Sequence, residues 1–451
     1  MDERAGVDPG RVTELWELES RRYEREHPRC YELRARARRS MPRGVPMSWM
    51  ETYFAHPPVW VSGGRGAHFD CVDGRRFLDT NIGDKSTFCG IDPEPVVRAV
   101  RQRVATGSQF MLPTEDALVV AEELARRWEL PAWQFTLSAS QANIETLRLA
   151  RHATGRSRVL SFTGNYGGHG DELLAAYAGE GRLSYLGLAP TATRDIDIVQ
   201  FNDLEALERA LDAGEHACVL TEPALTNEGV VLPEPGFHQA LRRLTREHGV
   251  LLVLDETHTL ICGPGGLTRE WLLEPDLVVV GKAIGGGLPF GAYGMTEKLR
   301  RAFERGESLT GLSGELATGG TLFANALSMA AARAALTEVL TPEAYSHTAA
   351  LGARLADGLE AVVTRASLPW RVQRLYARSG LSFGGRLARN AGEADADEQP
   401  ELNALLRLHL ANRGIWEAIS TAGPAFSVAA TEADVDHYLG AFAEFVGQVT
   451  A

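Results

Sequence analysis

The chain has 451 residues, 44% apolar and 23% charged, with a net charge of −13. That length exceeds one ordinary core and points to two domains, while the acidic balance argues against nucleic acid as the main partner. No apolar run approaches the roughly 20 residues of a membrane span, and the densely charged first 39 residues show no secretory signal. The five cysteines are scattered without a C-x-x-C pair, so neither a zinc site nor a disulfide framework is expected, and reducing cytoplasm is the expected setting.

Residues 1–45 are rich in Arg and Glu and read as an exposed helix or an arm packing on a partner subunit, with a partly disordered tail as the alternative. Residues 46–95 read as the N-terminal part of a small domain. Short strands are expected at 59–61 and within 66–79, with Asp73-Gly74 as a hairpin turn, followed by a polar, glycine-bounded loop at 81–90. A helix follows, capped by Thr114 with Asp116 in its first turn. Its expected inward face is Leu118, Ala121, Leu124, Ala125 and Trp128. Residues 96–335 alternate strand-like runs (159–162, 218–220, 250–254, 277–280) with amphipathic helices such as 238–248, the pattern of a parallel sheet covered by helices. Residues 336–451 begin with a long helix, pass through a loop at 391–400, and continue with a helix at 401–412. They read as a smaller α+β domain.

Two stretches carry the chemistry. Residues 250–254 are a Val/Leu run that ends at Asp255, and residues 277–280 are a second apolar run that ends at Gly281 and Lys282. Such runs are strands buried on both faces of a parallel sheet, and ligands bind at the carboxyl ends of strands in open α/β sheets. One rim therefore offers a carboxylate and an amine, and the glycines after Lys282 let backbone approach a flat ligand. Alone, each residue reads as a cap or a solvated surface group. Together they suit pyridoxal 5′-phosphate (PLP). Lys282 would form the Schiff base, and Asp255 would hold the pyridine nitrogen protonated so that the ring accepts electrons.

Other stretches complete this reading. Residues 137–143 place small residues at a helix start, where free N–H groups suit a phosphate. Tyr166 lies in the glycine-rich turn at 164–171. Residues 319–325 read Gly-Gly-Thr-Leu-Phe-Ala-Asn, and Glu222-Pro223 is followed by Asn227. With Asp255 and Lys282 these motifs resemble the class III aminotransferase family of fold-type-I PLP enzymes, over roughly residues 45–445. Within that family the chain is most similar to the branch containing glutamate-1-semialdehyde aminomutase.

The resemblance implies an α/β fold: a large domain with a mostly parallel central sheet covered by helices, and a smaller α+β domain formed from both termini. It implies that Ser138, Ala139 and Ser140 hold the cofactor phosphate and that Tyr166 stacks on the ring. Thr257 would sit behind the pyridine, where Val is common in the family. His258 would lie near the phenolic oxygen, where many relatives carry Gln. Glu222 and Asn227 would line the substrate side. Thr321 would reach the phosphate of a neighbouring subunit, which implies an obligate homodimer with shared sites. The chain departs from the family at Gly167, where His is usual.

The expected reaction is amino transfer between a donor and a keto acid, ketone or aldehyde through Lys282 and pyridoxamine phosphate, with Lys282 as the base. The same site serves an aminomutase if the first product is retained, and a racemase or epimerase if the proton returns from the other face. A scaffold homologue without activity is the alternative from another class, and it would need neither Asp255 nor Lys282. The segments 414–420 and 424–427 resemble the aminomutase-like branch, and they lack the Arg that ω-transaminases often carry there. Asp84-Lys85 is unusual. It reads as a cation that recognises substrate or as a surface ion pair at a loop tip. These departures suggest a specialised substrate, as in secondary metabolism.

Overall fold

The computed structural model describes residues 5–178, 186–306, 316–419 and 421–451. Two compact units divide the chain. The first comprises residues 1–92, 347–387 and 395–451, and the second residues 93–346 and 388–394. No described helix is long and apolar enough to cross a membrane.

The first unit opens with helices Pro9–Glu26 and Pro28–Ala37. Val12 and Leu15 join a buried cluster with Leu402, Leu405, Phe442 and Phe445. Glu19, 1% exposed, accepts hydrogen bonds from Asn412 (2.6 Å) and Arg413 (2.9 Å) and faces His409 Nδ1 at 3.3 Å. The expected exposed arm is therefore built into this unit, because its Arg/Glu density hides an apolar stripe and a paired carboxylate.

Strands β1 (Val61–Arg65), β2 (His68–Cys71) and β3 (Arg76–Asp79) follow as an antiparallel meander. The β2–β3 turn uses Gly74 at φ +77°. Its Asp73 accepts from the amides of Arg29 (2.7 Å) and Cys30 (3.0 Å) at the start of the second helix. Cys30, Cys71 and Asp73 thus converge within 4.8 Å, although the sequence scatters the cysteines.

The second unit carries β4 (Ala132–Thr136), β5 (Arg158–Phe162), β6 (Ile196–Val199), β7 (His216–Thr221), β8 (Leu251–Asp255), β9 (Leu277–Gly281) and β10 (Gly291–Met295). They form one sheet in the order β4-β10-β9-β8-β7-β5-β6. Strands β5 to β9 run parallel, and β10 is antiparallel to both β9 and β4. Every residue of β7, β8, β9 and β10 is buried, which explains the apolar runs of the parallel strands β8 and β9.

Helix Glu115–Trp128 buries Asp116, Val120, Leu124, Arg127 and Trp128, whereas Leu118 is 59% exposed. The expected face was rotated because two polar residues are buried with partners. Asp116 accepts from Arg103 and Arg333, and Arg127 donates to the carbonyls of Leu336 and Leu340. Such pairing offsets the cost of burying charge.

The chain returns to the first unit with the hairpin β11 (Arg371–Leu375) and β12 (Arg378–Ser382), and with β13 (Ile415–Trp416), which lies parallel beside β3. Both termini thus build the smaller α+β unit. The expected loop at 391–400 contains a short helix, Ala391–Ala396. Residues 388–394 belong to the second unit, where Asn202 Nδ2 donates to the Arg389 carbonyl (2.8 Å) and Arg389 pairs with Glu234. A Cβ on Gly164 would lie 2.6 Å from that of Ala391. Ser420, in the segment likened to the aminomutase branch, lies outside the described residues.

Candidate active site

Strands β8 and β9 are parallel neighbours, with Asp255 paired to Val279, so Asp255 and Lys282 emerge at the same carboxyl edge. Lys282 has φ +43° and opens a tight turn, Lys282–Gly285, before Gly286 at φ +57°. A lysine in this left-handed region costs about 1–3 kcal/mol. The ladder from Gly281–Gly291 to Leu277–Met295 holds it there.

The helix Ala139–Thr154 organises the rest. Ser138 caps it, accepting from the Gln141 amide at 3.3 Å. Its start packs tightly on the sheet edge: a Cβ on Gly281 would meet the Ala139 Cβ at 3.1 Å, and one on Gly291 would meet Ser138 backbone at 2.3 Å. The turn after β5 closes on the same place, since a Cβ on Gly168 would lie 2.1 Å from Ser140 Oγ. One turn along the helix, Asn143 Nδ2 donates to the Gly167 carbonyl (2.9 Å) and to Asp255 Oδ2 (2.6 Å). The Thr257 amide donates to Asp255 Oδ1 at 2.8 Å. Burial pushes the Asp255 carboxyl up, against the bonds from Thr257 and Asn143 and the nearby Lys282 charge.

A second line of contacts reaches Lys282 from β7. Glu222, 2% exposed, accepts from Thr226 Oγ (2.5 Å), the Tyr166 amide (3.3 Å) and Asn227 Nδ2 (3.4 Å). Thr226 Oγ lies 2.8 Å from His258 Nδ1, and His258 Nε2 contacts Lys282 Nζ. Burial, with Asp255 nearby, pushes the Glu222 carboxyl up to about 7. Tyr166 meets the rings of Tyr177 and His169 edge-on. Ser138, Ala139, Ser140, Tyr166, Glu222, Asn227, Asp255, Thr257, His258 and Lys282 therefore gather at one sheet edge.

The remaining candidates are Thr321, Asp84 and Lys85. Thr321 is exposed, and its carbonyl accepts from Gln109 Nε2. Asn325, not Thr321, caps the helix that follows. Asp84 and Lys85 belong to the first unit. Lys85 is 2% exposed at φ +73° and pairs with Asp84, so the reading of a surface ion pair at a loop tip is corrected to a buried lysine. Glu256, next to Asp255, is committed to structure: it accepts from the Leu267 and Thr268 amides and from Thr259. Asn143 and Thr226 were not expected in the site. Asn143 had left a signal, a polar side chain among Ala139, Ala142, Thr146 and Leu147 on the buried face of its helix.

The model of the class III aminotransferases matches residues 51–387. The chain belongs to the class III aminotransferase family. It is 35% identical to a glutamate-1-semialdehyde 2,1-aminomutase of Chloroflexus aggregans over 416 residues, covering 87% of this chain and 91% of that protein. The crystal structure of a glutamate-1-semialdehyde-aminomutase from Pseudomonas aeruginosa PAO1 superposes with a TM-score of 0.93 at 37% identity, covering 98% and 100% of the two chains. A lysine-to-alanine variant of such an enzyme from that organism is in complex with PMP. An omega-transaminase from Sphaerobacter thermophilus gives a TM-score of 0.85 at 28% identity, covering 94% and 98%.

As in its family, the fold is that of the fold-type-I PLP enzymes, and PLP is the cofactor. The residues present fit it. They supply a primary amine for an aldehyde and a buried carboxylate for a pyridinium. They also supply the start of a 16-residue helix, against which Gly168 and Gly291 leave no room for a Cβ.

Proposed function

We propose that the enzyme moves an amino group between carbons with Lys282 as the reacting amine and proton carrier, as an aminomutase of the glutamate-1-semialdehyde type. The observation behind this is the match to such aminomutases over nearly the whole chain, 37% identical across 98% of it in the Pseudomonas structure. An intermolecular aminotransferase is the second reading, favoured by the full-length likeness to the omega-transaminase. When bound, PLP supplies an electron sink.

The chain's residues do the rest. The helix start at Ser138–Ser140 holds phosphate through its amides and dipole. Asp255 keeps a proton on the ring nitrogen, and Thr257 and Asn143 orient that carboxylate. Tyr166 covers the ring face and excludes water. Lys282 Nζ takes a proton from the substrate carbon and returns it. Glu222 and Asn227 face the substrate side.

The homodimer is proposed too. Met111 (72% exposed), Leu112 (69%), Phe110 (48%) and Leu322 (50%) form an apolar surface around Gln109 and Thr321, as expected of a covered interface. Met111→Asp is expected to shift sedimentation toward monomer and to lower activity with it.

The deciding experiment gives glutamate 1-semialdehyde to enzyme in the pyridoxamine form, with no other amino donor or acceptor. Complete conversion to the amine-shifted isomer is the expected result. Turnover that stops after one equivalent, with the enzyme left in its aldehyde form, and resumes on adding an amino-acid donor would establish the aminotransferase reading instead.

A further inference from the structure

We propose that His258, Thr226 and Glu222 form a proton relay that accepts and returns the proton of the Lys282 amine. His258 would be in contact with the reacting amine, and Thr226 and Glu222 would act as positioning residues through it. The proposal rests on the reading of Lys282 as that amine.

The directions of the hydrogen bonds follow from the hydroxyl. Thr226 Oγ donates to Glu222 Oε2 at 2.5 Å. A hydroxyl has one hydrogen to give, so its 2.8 Å contact with His258 Nδ1 is one it accepts. The neutral imidazole therefore carries its proton on Nδ1, and Nε2 turns a lone pair toward Lys282 Nζ. All three donors point the same way: Nζ–H to Nε2, Nδ1–H to Oγ, and O–H to Oε2.

Proton transfer along this line balances. Nζ gives a proton to Nε2, Nδ1 gives its own to Oγ, and Oγ gives its own to Oε2. The ammonium becomes an amine, the carboxylate becomes a carboxylic acid, Thr226 is unchanged, and the imidazole ends as the other tautomer. A reverse pass returns the proton. No charge remains on the intermediate groups.

The terminal group suits the task. Glu222 is buried, and its carboxyl lies at about 7, so it can both take and release a proton near neutrality. The groups that face it are Asp255, which raises it, and Thr226, Asn227 and the Tyr166 amide, which hydrogen-bond to it. His258 and Lys282 are reached through Thr226. A Gln at 258 could hold a hydrogen bond but could not change tautomer. The imidazole at 258 and the hydroxyl at 226 are useful as a pair.

The test compares wild type with Thr226→Val, Thr226→Ser and Glu222→Gln. In holoenzyme, the half-reaction to the pyridoxamine form is followed by absorbance across pH. In apo-protein, the carboxyl C=O band is followed by infrared difference spectroscopy. In wild type, a band missing from E222Q should titrate near pH 7, and in T226V it should move upward. T226V should slow the half-reaction about tenfold and lose the pH dependence near neutrality. T226S should restore both. The relay is overturned if T226V keeps the wild-type rate and pH profile, or if T226S fails to restore them, which would mark a packing effect. Borohydride tagging separates the two proposals. A missing tag at position 282 defeats the Lys282 reading itself, while a tag at 282 with an unchanged T226V profile defeats the relay alone.

Discussion

Glu19 and Glu222 are both buried carboxylates, yet the two regions that hold them treat them in opposite ways. At the seam between the N-terminal and C-terminal helices of the first unit, burial alone would raise Glu19. His409, Asn412 and the Arg413 charge reverse this and hold it at about 2. At the sheet edge of the second unit, Glu222 is met by neutral donors and has Asp255 for a neighbour, so burial prevails and it rises to about 7. A cation beside a buried acid fixes its charge and ties elements together. A hydroxyl and two amides leave the charge free to change. The first arrangement suits stability, and the second suits the proton transfer proposed for it.

Three substitutions sharpen this contrast. The largest effect is expected at the sheet edge. Lys282→Ala should lower turnover by about 10⁴-fold, as loss of a proton-transfer group does, while the melting temperature of the apo-protein changes little. The chain has three lysines, Lys85, Lys282 and Lys298, so borohydride labelling and peptide mass spectrometry can account for every side-chain amine. The seam should behave in the reverse manner. Glu19→Ala removes the carboxylate that faces His409 and one of the two that Arg413 pairs with, Glu444 being the other, and should cost about 3 kcal/mol in urea unfolding, with activity per folded molecule unchanged. A large activity loss there, or a large stability loss in the lysine variant, would break the contrast.

The smallest effect is a pair of slopes. Glu19 is depressed, so its contribution is complete above the ordinary 4.5 and is lost as pH falls toward 2. Glu222 is raised, so the native state holds its proton more tightly than the unfolded chain does. Relative to E222Q, wild-type apo-protein should lose stability as pH rises from 4.5 to about 7, then level off. The wild-type-minus-variant difference in unfolding midpoint, measured against pH, should rise with pH for E19A and fall with pH for E222Q.

The sequence announced the sheet edge better than the seam, for a physical reason. Strands β8 and β9 are buried on both faces, so their apolar runs stop abruptly where Asp255 and Lys282 begin. Small residues likewise mark the helix start at Ser138, and glycines mark the turn at Tyr166. Contacts across long separations leave no such mark. Thr226 and His258 are 32 residues apart, and neither carries a local pattern that predicts their meeting. Glu19 looks like one more acid in a charged helix until Asn412 and Arg413 are folded against it. Leu118 misled for the converse reason: periodicity assigns the inward face to apolar residues, and it cannot foresee that Asp116 and Arg127 bring their own partners inside.

The return of residues 388–394 to the second unit bears on how such enzymes can be recombined. Arg389 latches onto Asn202 and Glu234, and Ala391 fills the space where Gly164 has no side chain. A chimaera that borrows the C-terminal third from a paralogue therefore imports a foreign latch, and any side chain at 164 would jam it. Crossover points placed outside this latch, with Gly164 and Ala391 inherited from one parent, should give hybrids that fold, whereas a breakpoint within it should not.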